Sequence, residues 1–279
     1  MPLTASKYGK GRVRVMRLTR DGDHHTPREL NLTVLMKGAF DAAWTAGDNR
    51  ACIATDSVKN ICNITAAKNL SLDKEDFAGA LAKVFLDTYP QIETLEVEAK
   101  ETRWLRQSFG GAPHGHTFVL DANGFGYVKL VASRDRSVMQ SGLRGFTFMK
   151  TTQSGWSDFV DDAYRTLPDT SDRIAATSMD ATWTWSAAPA DYTAANAQVL
   201  AILIEVFGTT YSLGVQDSMY RMGEAVLAAI PEIAEIGFAM PNKHYIPIDL
   251  SPFGLENPGT VFLPTDEPHG QIEATIGRG

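Results

Sequence analysis

Alternating apolar and polar positions mark the first predicted strands of the chain. The segment Arg12–Val15 alternates, Met16–Leu18 extends it, and the longer stretch Glu29–Met36 alternates again. Such alternation is typical of strands with one buried face and one solvent-exposed face. Because turn-forming residues fill Asp21–Pro27 between the two stretches, the pattern predicts a β-hairpin joined by a loop there.

Helical spacing follows this hairpin. Thr55-Asp56 is a helix-start signal, and Ser71–Asp76 supplies a second one. Apolar residues after the second signal fall on one helical face: Phe77, Leu81, Val84 and Phe85. Two further strands are predicted over Leu95–Leu105 and Thr117–Val131.

The same order of elements begins again after Arg134. Strand patterns cover Phe146–Lys150 and Ala181–Trp185, and helical patterns follow over Ala194–Phe207 and Ser218–Ile230. Three strand patterns close the chain: Ile236–Met240, Tyr245–Leu250 and Gly270–Ile276. The two parts share this pattern of elements without sequence identity.

The repeated pattern predicts an α+β protein of two halves, residues 1–134 and 135–279, each an antiparallel sheet with paired helices on one face. A half of four strands leaves its sheet edges exposed, and exposed edges favour pairing with another chain. We therefore expect an oligomer, a dimer or a dimer of dimers, that closes the sheets into a barrel.

Composition narrows the class of protein. The chain is 44% hydrophobic and 21% charged, which is typical of a globular protein, and it carries a net charge of -7. An acidic balance argues against nucleic-acid binding, which requires a basic face. The longest apolar run, Val199–Phe207, is too short to span a bilayer, and the polar N-terminal segment does not resemble a signal peptide. We expect a cytoplasmic protein whose two cysteines, Cys52 and Cys62, are reduced and buried.

Several catalytic signatures are absent from the sequence. It contains no Walker phosphate loop, dinucleotide-binding glycine pattern, Gly-x-Ser-x-Gly elbow or Cys-x-x-Cys pair. His114-Gly-His116 could contribute to a metal site, but a pair needs a third ligand. Its predicted loop, Gly110–His116, favours a structural or solvent-exposed role instead. His24-His25 is expected at the surface of a hairpin loop, and His269 is expected to be a turn residue.

The remaining candidates each allow a structural interpretation. Asn242, Lys243 and His244 place three hydrogen-bonding side chains where a strand begins, or they form a turn. Thr55-Asp56 could simply cap a helix. Three further residues have equally plain alternatives: Arg173 as a surface ion pair, Gln216 as a polar helix-start residue and Lys10 as a solvated charge.

Together, these candidates resemble the urate oxidase family. The matching segments run in family order: Tyr8–Lys10, Thr45–Asn49, Ala54–Asn60, Lys150–Ser154, Thr170–Arg173, Asp180–Trp183, Val215-Gln216, Met219-Tyr220, Met240–Tyr245 and Ile272–Ile276. The resemblance implies two tandem tunnelling-fold halves, a homotetramer that forms a barrel-like tunnel, and active sites at subunit interfaces. It also implies that urate, O2 and water are converted to 5-hydroxyisourate and hydrogen peroxide without a metal or organic cofactor.

The resemblance also implies residue roles. Lys10, Thr55 and His244 match the catalytic residues, and we expect them to form a proton relay. The implied substrate contacts are Thr55, Asp56, Trp156, Leu167, Arg173, Val215, Gln216 and Asn242. The planar guanidinium of Arg173 suits a planar anion, because it can donate two parallel hydrogen bonds. The side-chain amide of Gln216 can both donate and accept hydrogen bonds. We expect Lys10 and Thr55 to face Arg173 and Gln216 across a subunit interface.

One position departs from the family pattern. The family stacks a phenylalanine on the urate ring, and counting back from Arg173 places Trp156 at that position, with Phe159 nearby. An indole can also stack, so we expect Trp156 to form this wall. Two alternatives stay open: another tunnelling-fold enzyme acting on a pterin or purine, and a non-catalytic purine-binding relative.

Overall fold

A computed structural model describes residues 1–69 and 73–279. The chain divides into two compact units, Met1–Gly142 and Leu143–Gly279. This division falls within a strand, whereas the sequence placed the boundary between residues 134 and 135, just before that strand. Ser71, part of the second predicted helix-start signal, lies outside the described residues.

The first unit is an antiparallel sheet carrying helices. Its elements in chain order are β1 (Tyr8–Asp21), β2 (His24–Gly38), α1 (Asp41–Thr45), α2 (Thr55–Lys68), α3 (Lys74–Thr88), β3 (Ile92–Phe109) and β4 (Ala112–Ala132). The strands neighbour one another in chain order. The next strand, β5 (Ser137–Lys150), crosses the boundary between the units.

Periodicity explains which faces of these elements are buried. Every second residue of β2 from Leu30 to Met36 is fully buried, and these side chains pack with Phe77, Leu81 and Phe85 of α3. Asp73 caps α3 by accepting a hydrogen bond from the Glu75 backbone N–H. Val84 was predicted to share the buried helical face, but it is 37% exposed because it lies at the edge of that face.

The second unit repeats the arrangement. After β5 come β6 (Ala175–Trp185), α4 (Tyr192–Thr209), α5 (Val215–Ala229), β7 (Ile233–Pro247) and β8 (Phe262–Gly277), with a 3-10 turn at Ser251–Phe253. Buried Met179, Ala181 and Trp183 alternate along β6. They belong to the same buried set as Leu203 of α4 and Met222 of α5, so this unit buries a core of its own.

The hairpins are longer than the sequence predicted. The loop predicted over Asp21–Pro27 is reduced to a tight turn at Gly22 and Asp23, and the loop over Gly110–His116 is reduced to Gly110-Gly111. Both predictions were wrong in extent, because backbone pairing continues through residues whose side chains show no alternation. Of the two thiols, Cys62 is buried as expected, but Cys52 is only half-buried. None of the described helices is long and apolar enough to cross a membrane.

Candidate active site

Lys10 is held on β1 by a close approach of two strands. The preceding residue, Gly9, lies so near β2 that a Cβ atom there would be 1.9 Å from the carbonyl oxygen of Val34. The regular register with β2 then breaks between Lys10 and Val13, and Arg12 in the break has a positive φ of 56°. Lys10 is therefore half-buried at a β-bulge, a feature that commonly re-aims side chains at functional sites. The interpretation of Lys10 as a solvated charge was therefore wrong.

Thr55 begins α2 without capping it. Ala54 is the N-cap residue, and Thr55 is the first residue of the helix, so the interpretation of Thr55 as a cap was wrong. Its side chain is exposed on the isolated chain. The hydroxyl is therefore available to a bound molecule or to another side chain.

Asp56, beside it, is tied to its own helix. It accepts hydrogen bonds from Lys59 at 2.5 Å and Asn60 at 3.0 Å. The hydrogen bond and charge of Lys59 lower the pKa of Asp56, and Lys10 adds a smaller electrostatic contribution in the same direction. Lys10 thus lies within electrostatic reach of the N-terminus of α2.

Tyr8 connects these two elements. Its hydroxyl oxygen accepts a hydrogen bond from the Ile53 backbone N–H at 2.8 Å. Its ring packs edge-on against Phe40 and Trp44, with centroids 4.9 and 5.8 Å away. Burial is the largest cause of the raised pKa of Tyr8, which keeps its hydroxyl protonated.

In the second unit, a small pocket brings three of the predicted site residues together. Arg173, Val215 and Asn242 line a space of about 20 Å³, where the segment before β6, the start of α5 and the middle of β7 meet. The other lining residues are Ser154, Ala175, Ala176, Thr177, Phe207, Ser212, Gly214, Ser218 and Met240. Segments that are distant in the sequence thus meet at one pocket.

Arg173 is a half-buried cation without a counter-charge. No carboxylate in the described parts of the chain forms an ion pair with it, so its interpretation as a surface ion pair was wrong. Loss of solvent around the guanidinium lowers its pKa. A guanidinium in this setting favours a bound anion.

The start of α5 adds backbone donors beside Arg173. Gly214 is the N-cap residue and has no side chain with which to cap the helix. The first N–H groups of a helix, here those of Val215 and Gln216, lack intrahelical acceptors and attract anionic groups. The Gln216 side chain is exposed and lines a neighbouring groove with β8 rather than the Arg173 pocket.

Asn242 and His244 lie inside β7. Asn242 pairs with Thr177 on one side and with Gly270 on the other, and His244 pairs with Thr265. The interpretation of this segment as a turn was therefore wrong. The register shifts between Asn242 and His244, and the intervening Lys243 forms an ion pair with Asp266 at 3.0 Å.

Two aromatic rings lie between β5 and the Arg173 segment. The backbone of Trp156 forms hydrogen bonds with the backbone of Thr170. The indole ring packs against Gly214, where an added Cβ atom would be 2.9 Å from the ring. Phe159 stacks on Trp156 at 5.5 Å, and the guanidinium of Arg165 lies 4.2 Å from the Phe159 ring centroid. Leu167, one of the implied substrate contacts, is 58% exposed.

Sequence reasoning missed two residues that line the pocket. The side chains of Ser154 and Thr177 are 1% and 2% exposed, and their hydroxyl oxygens have no partner among the described residues. Ser154 was part of a matching segment, but only the fold places it beside Thr177. His114 and His116 contact each other with ring centroids 4.5 Å apart, yet the described residues contain no group of three His, Cys, Asp or Glu that could hold a metal ion.

Comparisons with known proteins match nearly the whole chain to one family. The family model described as Uricase matches residues 6–129 and 139–273. A curated uricase of Arthrobacter globiformis is 37% identical over 276 residues, covering 99% of this chain and 90% of the relative. A uricase of Aspergillus flavus is 35% identical, covering 98% of this chain and 96% of the relative.

Solved structures give the same result for the fold. The crystal structure of uricase from Arthrobacter globiformis superposes with a TM-score of 0.94 at 37% identity, over 100% of this chain and 95% of that one. A urate oxidase of Bacillus sp. TB-90 superposes with a TM-score of 0.85 at 23% identity, which supports the fold alone. The predicted α+β class with two tandem tunnelling-fold halves is confirmed. The chain belongs to the uricase family.

Proposed function

We propose that this protein is a urate oxidase that converts urate, O2 and water to 5-hydroxyisourate and hydrogen peroxide. Two observations carry the proposal. One is family membership, and the other is the unpaired, half-buried guanidinium of Arg173 beside the uncapped start of α5. Urate is a planar anion, and such a site offers it a planar cation and backbone donors. The two alternatives, a pterin or other purine enzyme and a non-catalytic binder, are favoured by no observation.

In this proposal Arg173 and Gln216 grip opposite edges of urate. Backbone N–H groups of Val215 and Asp56 contact the ring, Leu167 borders it, and Trp156 stacks on its face. A site built from such donors rejects purines that lack the matching acceptors, because its polar groups would be left unpaired.

Lys10, Thr55 and His244 move protons. Urate is itself the reductant: once further deprotonated, its ring is electron-rich enough to pass two electrons to O2. Water then adds to the oxidised ring, and two protons reach the reduced oxygen as peroxide. A threonine hydroxyl needs a neighbouring base, which Lys10 supplies, and the imidazole of His244 both accepts and donates protons. Asn242 holds O2 and then water above the ring, and no metal or organic cofactor takes part.

The proposed assembly is a homotetramer with active sites at subunit interfaces. It is supported by the exposure of Thr55, Gln216 and Leu167 on the isolated chain, since residues that grip a substrate are normally enclosed. A cytoplasmic location stays a prediction from the sequence.

The decisive assay follows urate absorbance, O2 uptake and peroxide release by purified protein in the presence of a chelator and without added cofactor. We expect one peroxide for each urate consumed. Arg173→Gln should raise KM strongly, whereas Arg221→Gln, on the exposed face of α5, should not. Chelator-sensitive or peroxide-free turnover would indicate a different enzyme, and binding without turnover would indicate a non-catalytic relative.

A further inference from the structure

Three polar atoms without partners converge on one pocket. The described residues contain five buried side-chain atoms for which no hydrogen bond is found, and three of them are Arg173 Nε, Ser154 Oγ and Thr177 Oγ1. All three residues line the pocket of about 20 Å³. Leaving a buried donor or acceptor unsatisfied costs about 1–3 kcal/mol for each group, so such clusters rarely stay empty.

We propose that this pocket binds one ordered water molecule, and that Ser154 and Thr177 act through it as positioning residues for Arg173. A water site needs roughly 10–15 Å³ and two to four polar partners, and the pocket meets both conditions. The water accepts the Nε–H of Arg173 and donates to the two hydroxyl oxygens. Only the expected change in KM for urate rests on the proposed function; the water site itself does not.

The geometry explains why Arg173 would need this support. No carboxylate in the described residues forms an ion pair that would orient the guanidinium of Arg173. Its orientation therefore depends on the hydrogen-bond partner of the Nε–H group and on the packing of the rest of the side chain. Ser154 is anchored by neighbouring backbone bonds: the Gly155 N–H donates to the Ser212 carbonyl at 2.9 Å, and the Ser212 N–H donates to the Gln153 carbonyl at 3.0 Å. Thr177 is fixed by its pairing with Asn242 on β7. A rigid frame on both sides therefore sets the position of the water.

Two variants remove one hydroxyl each while keeping nearly the same volume: Thr177→Val and Ser154→Ala. The loss of one hydrogen bond to the water should raise KM for urate about fivefold with little change in kcat, because a misdirected Arg173 weakens binding of substrate and transition state alike. Thr177→Ser keeps the hydroxyl and should restore the native KM. Thr184→Val, the same change on β6 outside the pocket, is the control.

A crystal structure at better than about 1.5 Å tests the site independently of turnover. We expect a water within hydrogen-bonding distance of Arg173 Nε, Ser154 Oγ and Thr177 Oγ1 in the native protein, and its loss in Thr177→Val. A pocket without density, or bromide in it after a bromide soak, would overturn the water assignment even if urate oxidation were established. A fall in kcat at unchanged KM in Thr177→Val, not rescued by Thr177→Ser, would overturn the positioning role, since structural damage alone reduces the active fraction.

Discussion

The hydroxyl oxygen of Tyr8 accepts a hydrogen bond from the backbone N–H of Ile53 at 2.8 Å. Tyr8 precedes Lys10 by two residues on β1, and Ile53 precedes Thr55 by two residues at the start of α2. One hydrogen bond therefore links the strand that carries the proposed base to the helix that carries the proposed hydroxyl. This link joins the two elements close to Lys10 and Thr55, the first two members of the proposed relay.

Tyr8→Phe should lower kcat several-fold and reduce the free energy of unfolding by about 1–3 kcal/mol, because the Ile53 N–H loses its acceptor. Urate turnover and denaturant unfolding measure the two effects. Tyr192→Phe, on α4, is the control and should leave kcat unchanged. Native kcat in Tyr8→Phe would show that the hydrogen bond does not position the relay.

Lys10→Met should lower kcat by about 100-fold or more with a smaller effect on KM, since general acid–base groups contribute roughly 10²–10⁴-fold. Steady-state kinetics at several pH values checks this. Lys7→Met is the matched control, because Lys7 lies just before β1 and pairs with Glu96 at 3.4 Å, away from α2. Turnover near the native rate in Lys10→Met would contradict the relay.

Hybrid oligomers of two variants test whether each proposed site takes its residues from one subunit or from two. If Lys10 and Thr55 of one subunit face Arg173 of another, then mixing Lys10→Met subunits with Arg173→Gln subunits restores some intact sites. We expect activity in co-expressed hybrids that neither variant shows alone. Hybrids as inactive as the parents would indicate that each pocket is formed by a single subunit.

The paired rings of Trp156 and Phe159 allow a test of which one stacks on urate. If Trp156 forms the wall, Trp156→Ala should raise KM for urate by about tenfold, because a lost aromatic stack is worth about 0.5–1.5 kcal/mol beyond the buried area. Phe159→Ala should have a smaller effect, since its faces already contact Trp156 and Arg165. A larger increase in Phe159→Ala than in Trp156→Ala would reverse the assignment.

The burial of Glu75 predicts that the stability of the protein depends on pH. Its side chain is fully buried at the start of α3, and burial is the main cause that raises its pKa to about 7, opposed by the charge of Lys74. The folded protein therefore holds a proton that the unfolded chain releases near pH 4.5. The contribution of Glu75 to stability is complete below that pH and is lost as pH rises to about 7.

Glu75→Gln should flatten the fall in unfolding free energy between about pH 5 and 7.5, by up to about 3 kcal/mol. Urea unfolding at intervals across this range measures it. Glu98→Gln, on the half-exposed side of β3, is the control and should keep the native slope. An unchanged slope in Glu75→Gln would mean that Glu75 does not retain its proton in the folded state.

Local periodicity determined which elements exist. The alternation in Glu29–Met36, the helical spacing of Phe77 and Phe85, and the repeated order of strands and helices all gave the α+β class, because burial of one face imposes a period on the sequence. The family resemblance supplied the candidate residues. It did so because the matched motifs keep their order along the chain.

Only the tertiary structure decided what those residues contact. Asn242 allowed an interpretation as a turn residue, but it pairs with Thr177 in the middle of β7. Lys10 allowed an interpretation as a loop charge, but it lies on β1 beside a β-bulge. Ser154 and Arg173 meet at one pocket because β6, α5 and β7 converge there. No local sequence pattern predicts this contact. Contacts between distant segments depend on strand register and helix packing, and these are determined by the chain as a whole.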